Sequence, residues 1–112
     1  MSAYNEVIRS DEEVCPRCDS KIQRSVQFKY GDTWQHRFAV GDRLTWGGND
    51  VGEPGHKVVV VLGHPGECPV CGHVPERTYD VTIRQDVIEG VRPSDGTYDY
   101  GGSGQGYFIV EP

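Results

Sequence analysis

The sequence predicts a small all-β domain braced by a bound metal ion, and three observations carry that expectation. Val26, Phe28 and Tyr30 alternate with polar residues, as do Tyr79, Val81 and Ile83, which is the period-2 signature of half-buried strands. The 112 residues include 15 Gly and 7 Pro, and the apolar share is 36%, so turns are many and the core is thin. Domains of that kind commonly need a staple. Four cysteines supply one, falling in two C-x2-C pairs, Cys15/Cys18 and Cys68/Cys71.

Taken in order, residues 1–13 read as an N-terminal arm and 14–112 as one domain. Tyr4, Val7 and Ile8 have helical spacing, but the segment is too short to hold a helix without packing partners. The acidic run Asp11-Glu12-Glu13 reads as solvated. A strand follows from Ser25, and Gly31-Asp32 marks a turn. Gln35 to Val40, Arg43 to Trp46 and Lys57 to Leu62 read as strands, with Gly41-Asp42 turning between the first two. Thr78 to Ile83, Asp86 to Val91 and Tyr107 to Val110 complete the set. Two Gly-rich loops interrupt it, WGGNDVGEPGH from Trp46 and SDGTYDYGGSGQG from Ser94. The second lacks the glycine order of a phosphate-binding loop and precedes no helix, so it reads as a connection.

The C-x2-C spacing lets two thiolates from one tight turn reach a single ion. Gly72 suits such a turn because the chain there needs φ > 0, and Asp19 holds the equivalent place after Cys18. Four thiolates from Cys15, Cys18, Cys68 and Cys71 form a closed tetrahedral set, which matches structural zinc (Zn2+) with no position left for water. The 49 residues from Asp19 to Glu67 are a long separation, so that insert must itself contain strands. A shift of 53 positions superposes the first pair on the second, and places Val26, Phe28 and Tyr30 on Tyr79, Val81 and Ile83. Each knuckle is thus followed, at the same distance and phase, by an alternating strand.

Cys15-Pro-Arg-Cys18 and Cys68-Pro-Val-Cys71-Gly72 resemble the paired knuckles of zinc-ribbon proteins. Together with VQFKYGDTW and WGGNDVGEPGH, they make the chain similar to small bacterial zinc-ribbon proteins without an assigned function. The resemblance covers about ten residues at the knuckles. It implies a β-rich zinc-ribbon-type fold and bound zinc, and it implies no reaction. The long insert departs from a simple ribbon, and its GD turn, RLTW and KVVVVLG give it SH3-like barrel character. Rubredoxins share the two-knuckle plan, so a rubredoxin-like iron electron carrier is an alternative. Their first knuckle is typically followed by Gly and an aromatic residue, where this chain has Asp19-Ser20.

No catalytic pattern is complete, and the expectation is a non-enzymatic protein. A thiolate bound in a four-sulfur set is not free to act as a nucleophile. A zinc deaminase needs H-x-E ahead of P-C-x-x-C, and neither exists here. His64 and His73 flank the second knuckle without being required as ligands; His36 and His56 have no evident partner. The longest apolar run, Val58 to Leu62, cannot span a bilayer, and no secretory leader opens the chain, so the expected location is cytoplasmic, where paired cysteines more often bind metal than oxidise.

Function is therefore expected to lie in binding. Trp34, Trp46, Asn49 and Asp50 are the candidate partner surface, with Trp46 preferred of the two tryptophans because it opens the first Gly-rich loop, since Trp is enriched in binding hot spots. The formal charge of −6, from 17 acidic and 11 basic residues, argues against general nucleic-acid affinity and for a basic protein partner. A small acidic inhibitor or immunity-type protein would fit that charge. Arg17, Lys21, Arg24 and Lys29 cluster after the first knuckle. A solvated strand face explains them most simply, with a nucleic-acid-binding zinc ribbon as the second alternative.

Overall fold

The computed structural model describes residues 4–100 and 106–112. The protein is all-β, with strands β1 (Asn5–Val14), β2 (Lys21–Phe28), β3 (Gly31–Asp32), β4 (Arg37–Ala39), β5 (Asp50–Val51), β6 (Val58–Pro65), β7 (Tyr79–Arg84), β8 (Val87–Pro93) and β9 (Tyr107–Glu111). Seven of them form one sheet in the order β4-β1-β2-β6-β7-β8, with β9 also paired to β6, while β3 and β5 make a separate two-stranded ribbon. The sheet curls into a half-barrel. Residues 41–44 help bring its ends together: Gly41 N–H donates to Ile88 O, Ile88 N–H to Asp42 O and Leu44 N–H to Asp86 O. No helix among the described residues is long and apolar enough to cross a membrane.

The core fills the concave side. Val26 and Phe28 from β2, Val59 and Val61 from β6, and Tyr79, Val81 and Ile83 from β7 all point into it. The alternation in the sequence thus marks the inward positions. Tyr30, just beyond β2, is buried edge-on against Trp46 and Tyr107, with ring centroids 5.4 and 5.2 Å away. Gly63 pairs with Phe28 on one side and Tyr79 on the other. A Cβ there would lie 2.5 Å from Val26 Cγ1 and 3.3 Å from both Tyr79 Cβ and Val81 Cγ2. Gly63→Ala is therefore expected to overpack the sheet and cost about 1–3 kcal/mol, read as a lower urea midpoint.

Three local expectations are corrected. The segment 1–13, expected as an N-terminal arm, contains most of β1, the longest strand, which pairs antiparallel with β2 and parallel with β4. Arg43 to Trp46 is no strand; Arg43 makes one isolated bridge to Val87, and Leu44 and Trp46 serve the core through their side chains. The basic residues after the first knuckle share no single face. Lys21 and Lys29 are exposed, whereas Arg24 alternates in phase with Ile22 and Val26 and is fully buried. The first Gly-rich loop contains β5, and part of the second, 101–105, lies outside the described residues.

Candidate metal centre

Both knuckles are strand connections. Residues 15–20 turn β1 into β2, with Val14 and Lys21 as the closing pair. The second knuckle lies between β6 and β7. Because β2 pairs with β6 through Val26↔Pro65, the two turns emerge side by side. The 49-residue insert carries β2 through β6 and so returns the second cysteine pair to the first.

The two turns have matching backbones. Asp19 N–H donates to Cys15 O at 2.9 Å, and Gly72 N–H donates to Cys68 O at 2.8 Å. Cys15 N–H reaches Ser20 O, and Cys68 N–H reaches His73 O, both at 2.9 Å. Asp19 and Gly72, at φ 61 and 78, occupy the left-handed region that the sequence comparison assigns to them. Gly takes that conformation freely, and Asp is among the few other residues that tolerate it.

The four sulfurs lie within 4.8 Å of one another. Cys15 and Cys71 Sγ are 3.7 Å apart, and Cys18 and Cys68 Sγ 3.8 Å. A disulfide needs about 2.05 Å, so these are free thiols. A tetrahedron with metal–sulfur bonds of about 2.3 Å has edges of about 3.8 Å. The separations therefore suit one tetrahedral ion. Neither His64 nor His73 belongs to this group, although His73 contributes backbone groups to its turn.

Electrostatics favour a cation here. The backbone N–H groups of Cys18 and then Arg17, aimed at Cys15 Sγ, hold that thiol down at about 6 despite burial. The N–H groups of Cys71 and Val70 lower Cys68 in the same way, Val70 N lying 3.4 Å from the sulfur. At Cys71 the His73 N–H is the largest influence and lowers the thiol. Burial and the three neighbouring sulfurs outweigh it, pushing Cys71 up to about 11. A divalent cation relieves that crowding and lets all four ionise.

A buried ion network secures the roots of both knuckles, and sequence reasoning missed it. Glu13, two residues before Cys15, accepts from Arg24 Nε at 3.2 Å, Arg9 Nη1 at 3.3 Å and Tyr79 Oη at 2.9 Å. Arg24 also donates through Nη1 to Gly66 O, two residues before Cys68, at 3.1 Å. The Arg24 side chain is 0% exposed and that of Glu13 10%. A register shift between Ile8 and Glu12, where Arg9, Ser10 and Asp11 oppose the single residue Arg24, makes room for this arrangement. The available signal was the apolar phase Ile22, Val26, Phe28, which puts Arg24 inward and calls for a carboxylate beside it.

The candidate partner residues are not brought together as one free surface. Trp34 is 68% exposed, between β3 and β4. Trp46 is partly buried against the core. Asn49 is held by Asp32 and Thr33, its N–H donating to Asp32 Oδ1 at 2.8 Å and its side-chain amide to Thr33 Oγ1 at 3.1 Å. Asp50 accepts from the Gly47 and Gly48 N–H groups, so its carboxylate shapes the loop. No protein-family model matches this chain, and no curated protein or solved structure matches it significantly.

Proposed function

We propose that this is a non-enzymatic β domain that holds one structural zinc ion and works by binding a protein partner. Two sulfur–sulfur separations of 3.7 and 3.8 Å, with all four sulfurs within 4.8 Å of one another, carry the metal half of that reading. Cys15, Cys18, Cys68 and Cys71 would be the ligands, and bound zinc supplies a closed, redox-inert cross-link between the β1–β2 and β6–β7 connections. With all four thiolates committed to the ion, none is left as a nucleophile. Free thiols in such a set suit a reducing compartment such as the cytoplasm. Elemental analysis of the purified protein tests the metal: one zinc per chain is expected, and one iron with visible absorption would support the electron-carrier reading instead.

Trp34 is the residue that best supports the binding half. It sits beside Gln35, whose N–H bonds Tyr4 O, and so lies at the end of the β1–β2 hairpin remote from the cysteines. A large aromatic exposed in that way is the kind of anchor that binding surfaces use. The charge of −6 suits a basic partner, as for a small acidic inhibitor or immunity-type protein. Affinity capture with the wild type and with Trp34→Ala checks this. A basic protein retained by the former and lost by the latter is expected, and equal retention would move the surface elsewhere.

A further inference from the structure

One edge of β6 changes partner partway along its length. Residues 63–65 pair with β2, and residues 58–61 pair with β9. Between them, Leu62 N–H bonds Gly106 O at 2.8 Å, on the approach to β9. Strand β2 has by then ended at Phe28. The departing and arriving chains leave a cleft of about 440 Å3 over Leu62, with Tyr4 completing its lining. That volume falls in the range of roughly 300–1,000 Å3 typical of small-molecule sites.

The register fixes which side chains stand together there. Gln27 and His64 are cross-strand partners, so they stand side by side on the face opposite Val26 and Phe28. Lys29 follows Gln27 by two residues, and Leu62 precedes His64 by two, which places them with that pair. The cleft thus presents an ammonium, an imidazole and an amide above an apolar floor of Leu62, with Tyr4 beside it. No carboxylate lines it among the described residues, although the chain carries 17 acidic residues and a charge of −6. Glu6 stands beside Gln27 in the next strand. Its carboxylate is engaged elsewhere, accepting from Ser25 Oγ at 3.1 Å and lying 3.3 Å from Arg37 Nε.

We propose that this strand-switch cleft binds a small organic carboxylate with a flat apolar body, its carboxylate held by Lys29, His64 and Gln27 and its body lying between Leu62 and Tyr4. Lys29 supplies the charge, and the Gln27 amide and His64 ring supply donors. The cleft makes no use of the cysteines, so the two sites stand or fall separately.

Titration of the intact, metal-loaded protein with 1-naphthoate, followed by 1H–15N NMR, tests the proposal. Saturable shifts are expected at the amides of Gln27, Phe28, Lys29, Leu62 and His64. Lys29→Glu, at an exposed position, should keep the free spectrum and weaken binding about tenfold or more, as reversing one charge near a partly exposed anion requires. His64→Ala should weaken it less. 1-Naphthylmethylammonium, of the same shape and opposite charge, should not bind there. Absence of saturable shifts at millimolar naphthoate, shifts centred elsewhere, or equal binding of the ammonium compound would overturn the assignment.

Discussion

Removing the metal with a strong chelator is expected to unfold the protein. Structural zinc in a four-thiolate site contributes on the order of 10 kcal/mol to folding, comparable to the whole stability of roughly 5–15 kcal/mol for a domain. The location of the site gives this loss its reach. Cys15, Ile22 and Cys68 form a small buried cluster apart from the main core, with Cys18 packed against it. Without an ion, no larger apolar cluster among the described residues holds that end of the sheet. The four sulfurs, at about 3.7–3.8 Å along the measured edges, would also repel once ionised. Far-UV circular dichroism and a thermal melt before and after chelation check this, and refolding on addition of one equivalent of zinc should restore both. An unchanged spectrum and melting temperature would reduce the ion to an ornament of an already stable sheet.

Glu13→Ala is expected to be the most damaging substitution away from the cysteines. It leaves Arg24 fully buried with its charge unpaired, holding only the Gly66 carbonyl, while Arg24 Nη2 already lacks a partner. Breaking a buried pair from one side costs about 3–5 kcal/mol, because the surviving charge keeps its desolvation penalty. The Tyr79 hydroxyl loses its acceptor as well. The double variant Glu13→Gln with Arg24→Met removes both charges at similar volume, and it should recover most of the loss. Urea denaturation of Glu13→Gln, Arg24→Met and the double variant measures the coupling directly. If the effects simply add, the network contributes nothing as a unit.

The same network shows where sequence reasoning stopped. Strands β2 and β7 were legible because their inward positions are apolar and β-branched or aromatic, so period 2 shows through, whereas β6, β8 and β9 show as short runs rich in β-branched residues. Their ends moved by a few residues, as with β6, which runs on through Gly63, His64 and Pro65. Strand β1 was hidden because three of its inward-facing residues, Asn5, Arg9 and Glu13, are polar, and the register shift before Glu12 breaks the period. Their partners lie in other strands: Asn5 Nδ2 donates to Tyr30 O, and Glu13 meets Arg24 and Tyr79. Arg43 to Trp46 failed for the opposite reason. Leu44 and Trp46 are apolar because their side chains cover the core, not because the backbone pairs.

The four-cysteine cluster was legible almost in full. Spacing alone named the four cysteines, and the need for φ > 0 at Gly72 and its counterpart Asp19 followed from the shape of a C-x2-C turn. Their convergence depends on β2 meeting β6, a contact that no local pattern encodes. The candidate partner residues are tied into the structure in ways the sequence does not show. Asn49 and Asp50 look available in sequence, yet their polar groups close the 46–56 loop on itself and on Asp32 and Thr33. Such loop-closing hydrogen bonds are common for Asn and Asp and leave little for a partner.

Zinc K-edge X-ray absorption on the purified protein tests the central claim most directly. The account predicts a single zinc shell of four sulfurs at about 2.3 Å, with no nitrogen or oxygen ligand. A shell containing a histidine nitrogen or a water oxygen would contradict it, because either would mean that CPRC and CPVCGH do not close the site by themselves and that the ion keeps a position open for chemistry.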